Sequence, residues 1–243
     1  MTPKRSLIDI LETAIQAMAF PITIWKVTAT VANTWQLNVD NLYHAVKGYI
    51  ISIGGNNYTI VSVNDDTSPL QLTVTDPTGL LPAPTAQTSF NLYSPFFFHG
   101  MPRDSSAEMK QEQNAFNKYP MIWLMETFTE TFYDDPEDAN ERDSQVKLYF
   151  LTDSQFETNQ TNDLYEIYLL PMRRLLDSFI DMVNTQYSYF VQWNLKYNVT
   201  NYPKFGVYIR GKGVAENLFA DNLTGCELDI VLKITKPNSS CNS

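Results

Sequence analysis

Gly206-Val207-Tyr208-Ile209-Arg210-Gly211-Lys212-Gly213 matches the first seven positions of a phosphate-binding loop. The eighth position requires a Ser or Thr hydroxyl to hold magnesium, and here it is Gly213. The four intervening residues are β-forming, whereas a phosphate-binding loop needs them to wrap an anion. The segment therefore reads as a strand that ends in a Gly-Lys-Gly turn. The acidic run Asp134-Asp135-Pro136-Glu137-Asp138-Ala139-Asn140-Glu141 offers hard oxygen ligands for calcium. It lacks the alternating acids and central glycine of an EF-hand, so it reads as a solvated hairpin tip.

Other chemistries have fewer parts available. The chain contains two histidines, His44 and His99, and two cysteines, Cys226 and Cys241. They lie far apart in sequence and show no zinc-ligand spacing. No Gly-x-Ser-x-Gly elbow occurs, and nothing supports a Cys–His dyad through Cys226. The expectation is a protein that is not an enzyme, with no cofactor and no metal. Two cysteines are a poor disulfide framework for 243 residues, and both read as free thiols in a reducing cytoplasm.

Charge narrows the function classes further. The formal net charge is −10, and residues 101–170 hold all of it, with 15 acidic and five basic side chains. Such a face repels a phosphate backbone, because nucleic-acid affinity comes from Lys and Arg neutralising phosphates. Residues 22–93 carry only Lys26 and Lys47 against four acids, which disfavours a single-strand-binding groove. No stretch approaches the ~20 apolar residues of a membrane span, and no membrane partner is expected.

The elements that would position any site follow from periodicity. Leu7, Ile8, Leu11, Ile15 and Met18 recur at helical spacing behind Ser6, a good N-cap. After Phe20-Pro21 the pattern turns β-rich, with strands expected at 24–31, 49–53, 58–63 and 70–74. Gly54-Gly55-Asn56-Asn57 supplies a hairpin turn. Short strands at this spacing predict a small β-barrel over 21–95. Phe96-Phe97-Phe98 cannot all face one core from a strand, so at least one should reach another surface. Residues 101–117 read as a short helix or a linker.

The second half reads as strands at 121–133 and 145–152, then a helix at 164–185 with Leu175, Phe179 and Val183 every four residues. On 121–133, Glu126 and Glu130 share parity with Ile122, Leu124, Phe128 and Phe132. That conflict predicts a bulged or twisted strand. Strands follow at 190–197, 207–210 and 226–235, and residues 237–243 form a polar, disordered tail. The expected class is α+β, an antiparallel sheet with packed helices from residues 1–20 and 100–236, with the barrel inserted after the first helix.

One pattern stands out against this background. Lys118-Tyr119-Pro120-Met121-Ile122-Trp123-Leu124 opens a strand, the acidic tip follows, and Pro171-Met172-Arg173-Arg174-Leu175-Leu176 opens a helix. This order resembles the ring-forming head–tail connector and tail-completion (tail-terminator-like) proteins of tailed bacteriophages. The inserted barrel departs from the minimal family pattern and suits the stacked rings of crAss-like short-tailed phages of Bacteroides.

The resemblance implies a structural virion protein, assembled in the host cytoplasm and placed at the head–tail junction. Its subunits would form a ring of about a dozen copies beside a portal and adjacent connector or tail proteins. DNA would pass through without sequence-specific binding. The implied assembly interface comprises Phe96, Phe97, Phe98, Asp134, Asp135, Glu137, Asp138 and Glu141, with Arg173 and Arg174 free for ion pairs between subunits. A β-rich carbohydrate-binding or adhesion module is the alternative, since Tyr and Trp on strands can stack on sugar faces.

Overall fold

A computed structural model describes residues 6–101, 118–133, 141–154, 161–185, 190, 196–210, 214–217 and 221–234. The first element is helix α1, Leu7–Gln16. Ser6 caps it: its hydroxyl accepts the Asp9 N–H, and the Asp9 carboxylate accepts the Ser6 N–H. Leu7, Ile10, Leu11, Ala14 and Ile15 form its buried face.

The chain then enters a six-stranded antiparallel sheet. Its strands are β1 (Pro21–Val31), β2 (Thr34–Val39), β3 (Ile50–Ile53), β4 (Asn56–Asn64), β5 (Leu70–Thr75) and β6 (Ser89–Asn91). Their order is β3-β4-β5-β2-β1-β6. The two outer strands, β3 and β6, curl toward each other without joining the ladder, so the sheet stops just short of a closed barrel. Strand β2 alternates cleanly, with Trp35, Leu37 and Val39 inward.

A second sheet takes the rest of the strands. It comprises β7 (Phe96–Gly100), β8 (Met121–Met125), β9 (Thr129–Phe132), β10 (Arg142–Asp153), β11 (Tyr197–Phe205) and β14 (Leu223–Ile234). The order is β11-β14-β10-β8-β7, and β9 pairs with the start of β10 beyond the end of β8. Strands β7 and β8 run parallel. A separate hairpin joins β12 (Val207–Arg210) to β13 (Val214–Asn217).

One long helical segment, α2, packs on this sheet. It runs from Thr161–Leu164 through a π-helical stretch at Tyr165–Leu169 into Leu170–Thr185. The π stretch ends just before Pro171, which has no N–H to give, and a widened turn is one way a helix accommodates that loss. Leu175, Leu176, Phe179, Ile180 and Val183 are buried, and the Phe179 ring meets Phe150 edge-on at 5.7 Å.

These elements overturn the expected fold class. The structure is mostly β: two helical segments stand against fourteen strands among the described residues, and one of the two large sheets is nearly a barrel. It is not an α+β fold of packed helices. Two strongly amphipathic helices dominate the sequence pattern, while short strands such as β6, β7 and β13 leave weak signals. The expected single strand at 121–133 is two, because the chain leaves the sheet between Met125 and Thr129. That break resolves the parity conflict at Glu126. Of the expected helix or linker (101–117), residues 102–117 lie outside the described residues, as does the tail (237–243).

A single apolar cluster runs through both sheets and both helices, from Leu7 through Leu37 and Tyr58 to Phe150, Phe179 and Ile234. Polar bonds tie the sheets as well. The Tyr49 and Thr152 hydroxyls lie 2.7 Å apart, and the Arg174 guanidinium pairs with Asp65 in the β4–β5 turn. A second, smaller cluster of Met121, Trp123, Tyr149, Leu151 and Leu223 occupies the other face of the second sheet.

Candidate assembly interface

The three phenylalanines alternate on β7 as strand geometry requires. Phe97 packs against the main core and Phe98 against the smaller cluster. Phe96 remains 40% exposed, with its ring stacked on Phe98 at 6.3 Å between centroids. The triplet thus sends one ring to each side of the sheet and leaves one open to solvent.

Strand β9 and the first residues of β10 form an arm, and the acidic run 134–141 connects them in sequence. Asp134, Asp135, Glu137 and Asp138 lie outside the described residues. Glu141 is half-buried at the root, and its carbonyl accepts the Tyr133 N–H at 3.3 Å. The root is held by an ion pair, Arg142 Nε to Glu130 Oε1 at 2.5 Å, to which the Ser144 hydroxyl donates at 3.2 Å. Arg142 also lies 5.6 Å from the Phe132 ring. On the opposite face the Tyr133 hydroxyl donates to Asp143 at 2.8 Å, and that bond pushes the phenol upward. Phe132 and Tyr133 are nevertheless 51% and 45% exposed.

Arg173 and Arg174 are both half-buried on α2. Arg174 is paired within its own chain, to Asp65. Arg173 lies near enough to Cys226 to favour its thiolate, yet burial dominates and pushes that thiol up to about 12. Cys226 is therefore inert as a nucleophile at neutral pH.

Sequence reasoning missed two polar clusters on the second sheet. Glu227 accepts from Lys147 at 2.7 Å and Tyr202 at 3.0 Å. Burial acts to raise its carboxyl, but bonds from Lys147, Tyr202 and Tyr149 outweigh it and hold the group below its ordinary value. Asp221 accepts from Lys118 at 2.5 Å and Tyr119 at 2.7 Å, with the same balance and the same net direction. Burial and the nearby Asp221 charge raise Asp153. The partners in these pairs stand 80 and 103 residues apart, a separation that local patterns do not reveal.

Between those clusters the Trp123 and Tyr149 rings stack at 4.9 Å, and Phe205 meets both. Trp123 and Tyr149 are buried, so their faces are spent on neighbouring rings. His99 Nδ1 meets Glu126 Oε1 at 2.6 Å on the surface. His44 is buried, donates from Nε2 to the Tyr93 carbonyl at 3.0 Å, and leaves Nδ1 without a partner among the described residues. Among the described residues no group of three metal-ligating side chains occurs, and no helix is long and apolar enough to cross a membrane. In the segment resembling a phosphate-binding loop, the four intervening residues include β12, which pairs with β13, while residues 211–213 lie outside the described set.

No protein-family model, no curated protein and no solved structure matches the chain.

Proposed function

We propose that this chain is a structural virion protein, one subunit of a ring at the head–tail junction of a tailed bacteriophage, through which DNA passes. The observation that carries the reading is the β9–β10 arm. Phe132 and Tyr133 stand exposed on it, next in sequence to the acidic run 134–141, and a part-buried ion pair between Arg142 and Glu130 stiffens it. Aromatic side chains of this kind are enriched at protein interfaces, where covering them recovers apolar area. A neighbouring subunit is the partner that would cover them, with portal and adjacent connector proteins above and below.

The acidic balance of residues 101–170 supports the same reading. A lumen with few Lys and Arg releases few counterions from the duplex and lets it slide. Electron microscopy of the purified chain mixed with portal-type rings tests the proposal. The wild type is expected to close into rings, and a Phe132→Ser/Tyr133→Ser variant to form none. Wild-type and variant particles with the same open, dispersed appearance would overturn it.

A further inference from the structure

The second sheet ends in two strands whose surroundings carry opposite charge. Among the described residues, β11 has β14 on one side and no strand on the other, and β9 has only β10. Residues 119–141, which include β9, hold seven acidic side chains and no Lys or Arg. Residues 182–215, which include β11, hold Lys196, Lys204, Arg210 and Lys212 and no acidic side chain. An unpaired edge is a template for another strand. By charge these two edges suit each other, and neither suits itself.

Strand direction adds a geometric condition. From β9 through β10 and β14 to β11, each strand is antiparallel to the one before. Four is an even number, so a copy set alongside in the same orientation brings its β9 antiparallel to β11. The alternation then continues across the boundary. Such a contact joins one patch to a different one, and repeating it closes a ring. The side-chain faces agree as well. Phe132 and Glu130 share the face of Ile234 and Leu232 through the ladders at Arg142 and Ser144. Tyr197 and Val199 lie on that same face, opposite Ile230 and Leu228.

We propose that the β11 edge of one copy receives the β9 edge of the next, antiparallel, with Tyr197 opposite Phe132. This pairing rests on the ring reading and names the surface that covers the arm. Tyr197 is 40% and Phe132 51% exposed, and together they form an aromatic cross-strand pair. Asn198 meets Thr131 and Thr200 meets Thr129, all four exposed. Lys196 comes over the Tyr133 ring, beside Asp143, whose Oδ1 has no hydrogen-bond partner among the described residues. The stretch Tyr197–Asn201 is regular, because the irregularity in the β11–β14 ladder falls between Tyr202 and Phe205. A net charge of −10 disfavours most approaches of two copies. This approach sets the basic edge against the acidic one, so charge selects it.

The test is oxidative cross-linking of the full chain mixed with portal-type rings, read beside electron microscopy. Cys226 is buried, and Cys241→Ser supplies the background. Thr131→Cys and Asn198→Cys stand opposite each other in this register, within reach of a disulfide. The double variant is expected to oxidise into a ladder of covalent oligomers. Each single variant should stay uncross-linked, because this contact never sets a residue against itself. Lys196→Glu, shown by circular dichroism to be folded, should raise the concentration needed for assembly by about fivefold or more, and Lys196→Arg should not. Closed rings without the ladder, equal cross-linking in the single variants, or assembly unchanged by Lys196→Glu would overturn the pairing and leave the ring reading standing. The absence of both rings and ladder would overturn both.

Discussion

Gly225 sits opposite Leu151 in the β10–β14 ladder, and a Cβ built on it would stand 1.8 Å from the carbonyl oxygen of Phe150. No rotamer relieves that contact, because the obstacle is backbone in the central strand of the second sheet. Gly225→Ala should therefore cost about 3 kcal/mol or more, the upper range for overpacking. Urea titration followed by tryptophan fluorescence checks it. A midpoint equal to wild type would show that the two strands separate more readily than their register implies.

Tyr49, just before β3, and Thr152 on β10 share a hydroxyl–hydroxyl bond at 2.7 Å. Thr152 is fully buried, so removing the phenol leaves a polar atom with little else to bond. Tyr49→Phe should cost about 1–3 kcal/mol. The double variant with Thr152→Val should cost less than the sum of the two single changes. Chemical denaturation of the four proteins gives the coupling; strict additivity would mean that the bond contributes nothing.

His44 supplies a pH dependence. Its ring is buried edge-on against Phe20 at 4.4 Å, and burial lowers its pKa to about 4 despite the bond to Tyr93. The unfolded chain binds a proton near the ordinary histidine value while the folded chain does not. Stability is complete above that ordinary value and falls as pH drops from about 6.5 toward 4, by about 3 kcal/mol. His44→Gln keeps a donor toward Tyr93 and does not titrate. Thermal melts across this window should fall more steeply for wild type than for the variant, and parallel curves would contradict the assignment.

Asp65 and Arg174 join the β4–β5 turn to α2, but both side chains keep contact with water. A pair of this kind contributes about 1 kcal/mol or less, and salt weakens it. Asp65→Asn should shift the urea midpoint slightly at low salt and not at all in molar salt. A large loss that persists in high salt would show that packing, rather than charge, holds this junction.

Much of the architecture was legible wherever one residue type decides the outcome. Ser6 and the apolar spacing of 7–15 specify α1, Gly54-Gly55 specifies the β3–β4 turn, and alternation through Leu228, Ile230 and Leu232 specifies β14. Strand β2 carries the same alternation in Trp35, Leu37 and Val39, set among Thr, Gln and Asn. The parallel pairing of β7 with β8 and the Lys147–Glu227 contact were not legible, because they join distant segments that share no local pattern. At the proposed interface the sequence marked the Phe96–Phe98 triplet and the acidic tip. It did not show that Phe97 and Phe98 would be taken by the two cores, nor that Arg174 would be claimed by Asp65.

The proposed ring is the central claim, and native mass spectrometry of the chain mixed with a portal-type ring tests it most directly. The account predicts a complex in which the chain is present in about a dozen copies, in keeping with closed cyclic symmetry. A chain that stays outside every portal complex, or joins it as a single copy, would contradict the account.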